Sequence, residues 1–259
     1  MYIAMKAVDF HSHILPGIDD GSRDTEMSIA MLRKMQQDGI QVVCATPHFY
    51  GSRHSLEHFL ERREKSFNRL QEAMQTAGMS PTQDITKSDL ASQGQPGGTT
   101  GITILPGAEV AFYSGLTREN DIQKLCIAGT NTLLLEMPFI PWTDFEINQV
   151  ESLCFDHGLN VVIAHIERYE KIASRELMDR LLSLPVYIQI NAETLLPMLS
   201  RRKWLEMFRN GTAQILGSDA HNLTSRPPRI GEAREMIRRK LGPGVLDRTD
   251  KCANELLKI

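Results

Sequence analysis

Seven short runs of β-type apolar residues, separated by segments with helical spacing, most narrow what this chain can fold into. They are "KAVDFH", "IQVVCA", "ITILPGAEV", "TLLLEMP", "NVVIAH", "VYIQINA" and "AQILGSDAH". Strands that alternate with helices pair in parallel, because the chain must cross back over the sheet before adding the next strand. At 259 residues the chain is long enough to close such strands into a barrel related to the eight-stranded one, with an open doubly wound sheet as the rival.

Two intervening segments carry clear helical signals. In "SRDTEMSIAMLRKMQQDG" the residues Met27, Met31, Leu32 and Met35 share a face, polar caps precede them and Gly39 closes the segment. In "SLEHFLERREKSFNRLQEAMQTAG" the inner face is predicted to be Leu56, Leu60, Phe67, Leu70 and Met74. Residues 80–101 break the rhythm: rich in Ser, Thr, Gln, Gly and Pro and nearly without apolar residues, they read as a flexible surface insertion in a single domain spanning 1–259.

The ends of the strands carry the chemistry. His11 and His13 follow the first, His48 the second, Glu109 lies in the third, Glu136 ends the fourth, His165 the fifth, and Asp219 with His221 the last. In parallel α/β barrels these ends share the rim that carries the active site, so residues far apart in sequence would converge. A single His at a strand end is more often a hydrogen-bonded core or surface residue than a ligand. Here five of the eight histidines fall at such positions, while His54, His58 and His157 lie in expected helices and read as solvated. Asp20 adds an oxygen beside the first pair, and Asp19 reads as capping the turn.

Imidazole and carboxylate without thiolate suit Mn²⁺, Fe²⁺ or Zn²⁺, and so many ligands exceed the need of one ion, so two or three metals are expected. Such a cluster activates water and neutralises phosphate oxygens, which makes direct phosphoester hydrolysis the leading chemistry. Arg168, three residues after His165, and Arg226, five after His221, fall in loops on the same rim, where guanidinium groups can fork a phosphate. No cysteine is followed six positions later by arginine, and no GxSxG or GxxxxGK[ST] occurs, which disfavours the cysteine-phosphatase, serine-hydrolase and nucleotide-triphosphatase readings.

A net charge of -3 does not favour stable binding to nucleic acid. The four cysteines form no CxxC pair, and no run approaches the roughly 18 apolar residues of a spanning helix. A protein of the reducing cytoplasm, without membrane insertion, is expected.

The motifs "DFHSHILPGIDDG", "ATPHF", "LPGAEV", "LLLEMPF", "VVIAHIERY" and "LGSDAHN" followed by "RPP" resemble, in order, those of the PHP (polymerase and histidinol phosphatase) superfamily. More narrowly, they resemble the bacterial manganese-dependent protein tyrosine phosphatases of capsule and exopolysaccharide loci. The resemblance implies a distorted seven-stranded (β/α) barrel with three divalent ions, Mn²⁺ foremost and Fe²⁺ or Zn²⁺ as alternatives. It implies His11, His13, Glu109 and Asp219 on one ion, Glu109, Glu136 and His165 on a second, and Asp20, His48 and His221 on the third. Arg168 and Arg226 match its phosphate-binding arginines. The implied partner is the phosphotyrosine tail of a membrane-associated bacterial tyrosine kinase; an oligomer is compatible with the sequence. A histidinol-phosphate-type phosphatase, a metal-dependent nuclease and a noncatalytic metal-binding module are the rivals.

Overall fold

The computed structural model describes residues 5–80 and 101–259, so nearly all of the expected insertion at 80–101 lies outside the described residues. Each of the seven apolar runs contains a strand, and all strand pairs are parallel. β1 (Val8–Ser12), β2 (Val42–Ala45) and β4 (Thr103–Pro106) form one sheet. A second sheet runs β3 (His48–Phe49), β5 (Glu109–Ala111), β6 (Thr132–Glu136), β7 (Asn160–Ile163), β8 (Tyr187–Asn191) and β9 (Ile215–Gly217). The third run is cut in two at Gly107–Ala108, and the second is followed, across Thr46–Pro47, by the two-residue β3. Pro47 has no N–H to donate and so interrupts its ladder.

The outer strands also meet. Asp219 N donates to His11 O (2.7 Å), and His13 N donates to Ala220 O (2.9 Å), tying the segment after β9 to the end of β1. Gly217 makes this approach possible: a Cβ there would lie 2.6 Å from the His11 Cβ.

The parallel strands are buried on both faces, as their near-continuous apolar character requires. Val8, Phe10, Val42, Cys44, Leu134, Val162 and Ile215 form one cluster, against which Leu256 and Leu257 also pack. Their strand neighbours Val43, Ala45, Leu133, Leu135, Val161, Ile163 and Leu216 belong to the larger core shared with the helices. The architecture is therefore mixed α/β, with a parallel sheet curled as a half-barrel around an inner apolar cluster and helices outside.

Capping explains where the helices begin. The Asp24 carboxylate accepts from Met27 N at the start of α1 (Thr25–Gln37), and Ser55 accepts from His58 N at α2 (Leu56–Thr76). Thr143 and Glu146 form a reciprocal capping box at α3 (Asp144–Phe155). α4 (Arg175–Ser183), α5 (Arg201–Arg209), α6 (Ile230–Leu241) and α7 (Pro243–Leu257) follow. α1 buries Met31, Leu32 and Met35 as expected, with Met27 only partly buried. On α2 the expected face is turned: Phe59 and Ser66 join Leu70 and Met74 in the interior, while Leu56, Leu60 and Phe67 are partly buried. The reason is local, since the Ser66 hydroxyl donates to Pro16 O (2.8 Å) and Arg69 donates to the same carbonyl (2.6 Å), fixing the helix against the loop after β1.

Candidate metal centre

All nine expected ligand residues converge on one rim, most of them at or just after the C-terminal ends of strands, with His48 and Glu109 opening the short β3 and β5. His11 and His13 arrive from β1, His48 from β3, Glu109 from β5 and Glu136 from β6. His165 follows β7, Asp219 and His221 follow β9, and Asp20 reaches in from the loop after β1. Among the described residues, ligand atoms group as His13, Asp20, His48 and His221; as His11, His13 and Asp219; and as His48, Glu109 and Glu136. His165 joins through Nε2, 2.8 Å from Glu109 Oε1 and 3.5 Å from Glu136 Oε1.

The imidazoles are aimed. His13 Nδ1 donates to Asp19 Oδ2 (2.7 Å), His11 Nδ1 to Gln189 Oε1 (3.2 Å) and His221 Nδ1 to Asp219 O (3.0 Å), while His165 Nδ1 pairs with the Tyr169 hydroxyl (3.2 Å). With a partner at Nδ1 in each, Nε2 is the atom that all four turn into the cluster, which is how metal-binding histidines are held. His48 is the reverse: Nδ1 lies 2.9 Å from Glu109 Oε2, and Nε2 lies 3.6 Å from Asp20 Oδ1.

That His48–Glu109 approach is close but badly angled, so neither atom has a hydrogen-bond partner. His221 Nε2 is also without one, which means three of the six such buried side-chain atoms among the described residues belong to this cluster. Glu109 Oε2 lies 3.2 Å from His13 Nε2 and 3.3 Å from His11 Nε2 as well. Lone pairs converging on one point are costly alone and favourable around a cation. The residues therefore fit divalent ions.

The charges agree. Burial would raise the pKa of Glu109 and of Asp219, yet the charge of His11 and the hydrogen bonds of neighbouring imidazoles hold both carboxyls well below the usual range. Burial lowers His165, but its hydrogen bonds to Glu109 and Glu136 outweigh this and raise it to about 9. His221 is pushed down to about 4 by burial and by the charges of His13 and Arg226. Two carboxylates kept ionised inside the protein concentrate negative charge at this point.

Asp219 links the cluster to its rim. Its Oδ1 lies 3.4 Å from His13 Nε2 and 3.6 Å from His11 Nε2, while Oδ2 accepts from Arg168, from Arg226 (2.7 Å) and from Asn191 Nδ2 (2.9 Å). Both arginines are about one-third exposed, so they face the cluster on one side and solvent on the other. His165 and Asp219 also adopt left-handed backbone with φ of 33° and 54°, a strained conformation that clusters at functional sites.

Sequence reasoning missed the supports. Asp19 does more than cap a turn by accepting from Gly21 N: it orients His13 and accepts from His48 N (3.0 Å). Gln189 accepts from His11 Nδ1 and from His165 N (2.8 Å), then donates to Asn191, which donates to Asp219. Two buried amides in an otherwise apolar strand were the available signal. Near the rim, Trp142 and Tyr169 are buried, whereas Phe139 is 52% exposed and stacks 6.2 Å from the His165 ring. Among the other histidines, His58 is exposed on α2, but His54 lies in the turn before it and His157 follows α3, its Nε2 bonded to Thr117 O (3.0 Å). Asp19→Ala should weaken Mn²⁺ binding about 10- to 100-fold in a direct titration while leaving the fold intact; unchanged affinity would refute the orienting role.

The family model described as "Capsular polysaccharide synthesis, CpsB/CapC" matches residues 7–254. The chain is 27% identical over 245 residues to tyrosine-protein phosphatase YwqE of Bacillus subtilis (strain 168), covering 91% of this chain and 85% of that protein. It is 28% identical to tyrosine-protein phosphatase CpsB of Streptococcus pneumoniae, covering 91% of each. In structure it is similar, with a TM-score of 0.79 and 23% identity, to a chain from the crystal structures of YwqE from Bacillus subtilis and CpsB from Streptococcus pneumoniae, described as unique metal-dependent tyrosine phosphatases. That likeness covers 97% of this chain and 94% of that one, and it speaks to the fold. Among the described residues no helix is long and apolar enough to cross a membrane.

Proposed function

Because this chain belongs to the capsular polysaccharide synthesis CpsB/CapC family, we propose that it is a metal-dependent protein tyrosine phosphatase of the bacterial cytoplasm. Its substrate on this reading is the phosphotyrosine tail of a membrane-associated bacterial tyrosine kinase that controls capsule or exopolysaccharide synthesis. The observation that carries the reading is Asp219, one oxygen facing the imidazoles and the other holding two rim arginines. It joins a cation-binding cluster to a pair of phosphate-binding forks.

The seven strand positions close as a distorted barrel forming a single domain on this reading, and three divalent ions, Mn²⁺ foremost, occupy its rim. His11, His13, Glu109 and Asp219 hold one ion, Glu109, Glu136 and His165 a second, and Asp20, His48 and His221 the third. The groupings of ligand atoms overlap this assignment, with His13 and His48 each placed between two groups. When bound, such ions supply Lewis acidity for the attacking water and for the phosphoryl oxygens.

The chain's own residues do the rest. Arg168 and Arg226 turn from Asp219 Oδ2 toward the phosphoryl oxygens, each able to make two charge-assisted hydrogen bonds. Asp219 stays anionic and limits how far they move. Phe139, standing over His165, forms the apolar wall for the tyrosine ring. With a phenol pKa of about 10, tyrosinate leaves without a strong general acid.

Phosphate release from a phosphotyrosine peptide, histidinol phosphate and single-stranded DNA, each with and without Mn²⁺, tests this. Mn²⁺-dependent release from the peptide is expected to exceed the others. Preference for histidinol phosphate or cleavage of DNA would replace the reading, and binding of the peptide without release would make the protein a noncatalytic module. Phe139→Ala should raise KM for the peptide several-fold and leave KM for a small alkyl phosphate unchanged, since only an aryl group uses that wall.

A further inference from the structure

A cleft of about 270 Å³ opens beside the ligand cluster, lined by Asp20 and His48 of that cluster and by Arg53, His54 and His58. Among the described residues no carboxylate lies within ion-pair distance of Arg53. Its guanidinium instead stacks over the Tyr50 ring at 5.3 Å, and that ring stacks on His48 at 5.2 Å with 27° between planes. Two successive ring contacts thus fix the cation within roughly 10 Å of a ligand residue, a span of two or three residues of extended chain.

The neighbouring charges leave this cation available. Arg62, also at the cleft, donates to Ile18 O (2.6 Å). Asp19 is bound to His13 and to two backbone N–H groups, and Asp20 faces His48 and His221 at 3.6 and 3.5 Å. The imidazoles of His54 and His58, 6.3 Å apart, add donors. A guanidinium preorganised on an aromatic face and open to a cleft is suited to a planar or tetrahedral anion.

We propose that this cleft is a second anion subsite, in which Arg53 receives a carboxylate or a second phosphoryl group carried by the substrate peptide two or three residues from the reacting phosphotyrosine. The proposal rests on the phosphotyrosine reading of the neighbouring centre. Arg53 acts as a specificity residue and touches no reacting atom.

The experiment compares kcat/KM for three phosphotyrosine peptides, flanked by neutral residues, by glutamate or by a second phosphotyrosine, using the Mn²⁺-loaded full chain, Arg53→Gln and Arg53→Lys. The unaltered protein should prefer the anionic peptides about 5- to 20-fold, chiefly through KM, and added salt should shrink the preference. Arg53→Gln should abolish it and leave the neutral peptide within twofold, and Arg53→Lys should retain part of it. Preference for only one anionic peptide would identify which anion fills the subsite. Equal rates on all three peptides, or a preference that survives Arg53→Gln, would overturn the subsite while leaving the phosphatase reading intact. No release from any peptide would overturn both.

Discussion

Glu109→Gln is expected to lower kcat on a phosphotyrosine peptide on the order of 10³-fold or more and to reduce the metal content of the purified protein. The carboxylate is central: Oε2 lies within 3.3 Å of nitrogens on His11, His13 and His48, and Oε1 lies 2.8 Å from His165. Glutamine keeps the shape but removes the charge and turns one acceptor into a donor. That donor would point at imidazole lone pairs or at a cation, and either is unfavourable.

The competing account is a buried polar network with no ion, and the same variant separates the two. A network without an ion predicts that Mn²⁺ leaves the melting temperature of the unaltered protein unchanged. The metal reading predicts a gain of about 2.7 kcal/mol at a Mn²⁺ concentration 100 times Kd, or roughly 5 to 10 °C, lost on adding chelator. In Glu109→Gln most of this response should vanish. Full activity with unchanged metal content in that variant would sink the proposed centre.

Why this cluster was legible in the sequence follows from the geometry of parallel strands. Parallel apolar runs place their ends on a common rim, so "DFHSH", "TPH", "GAEV", "LLEM", "IAHIER" and "GSDAH" could be read as one site without knowing the pairing. Asp19 and Gln189 were not legible as supports, because their task is defined by bonds to His13, His11 and His165 across the fold. The inner face of α2 was misread for a similar reason: heptad-like spacing predicts a stripe, but Ser66 and Arg69 bond to Pro16 O and rotate Phe59 inward. Pro47 marks the break between β2 and β3, and the Pro106-Gly107 pair marks the one between β4 and β5.

Arg168→Ala and Arg226→Ala should each lower kcat/KM about 10²- to 10³-fold with metal content unchanged. Both guanidinium groups meet at Asp219 Oδ2, so they start beside the cluster and need only a short swing to reach a phosphoryl group bound there. Charge alone does not define the role. Lysine supplies a point charge on a flexible stem and cannot fork two oxygens, so Arg168→Lys should recover little of the loss. Arginines that served only as counter-ions to Asp219 would behave otherwise: Arg→Lys would restore activity, and Arg→Ala would act by destabilising the buried carboxylate, lowering the melting temperature and the metal content together. The double variant adds a further check. If both forks bind the same phosphoryl group, their effects are coupled through it and through Asp219, and the combined loss should depart from the product of the single losses. Independent, multiplicative losses would place the two arginines on different parts of the substrate.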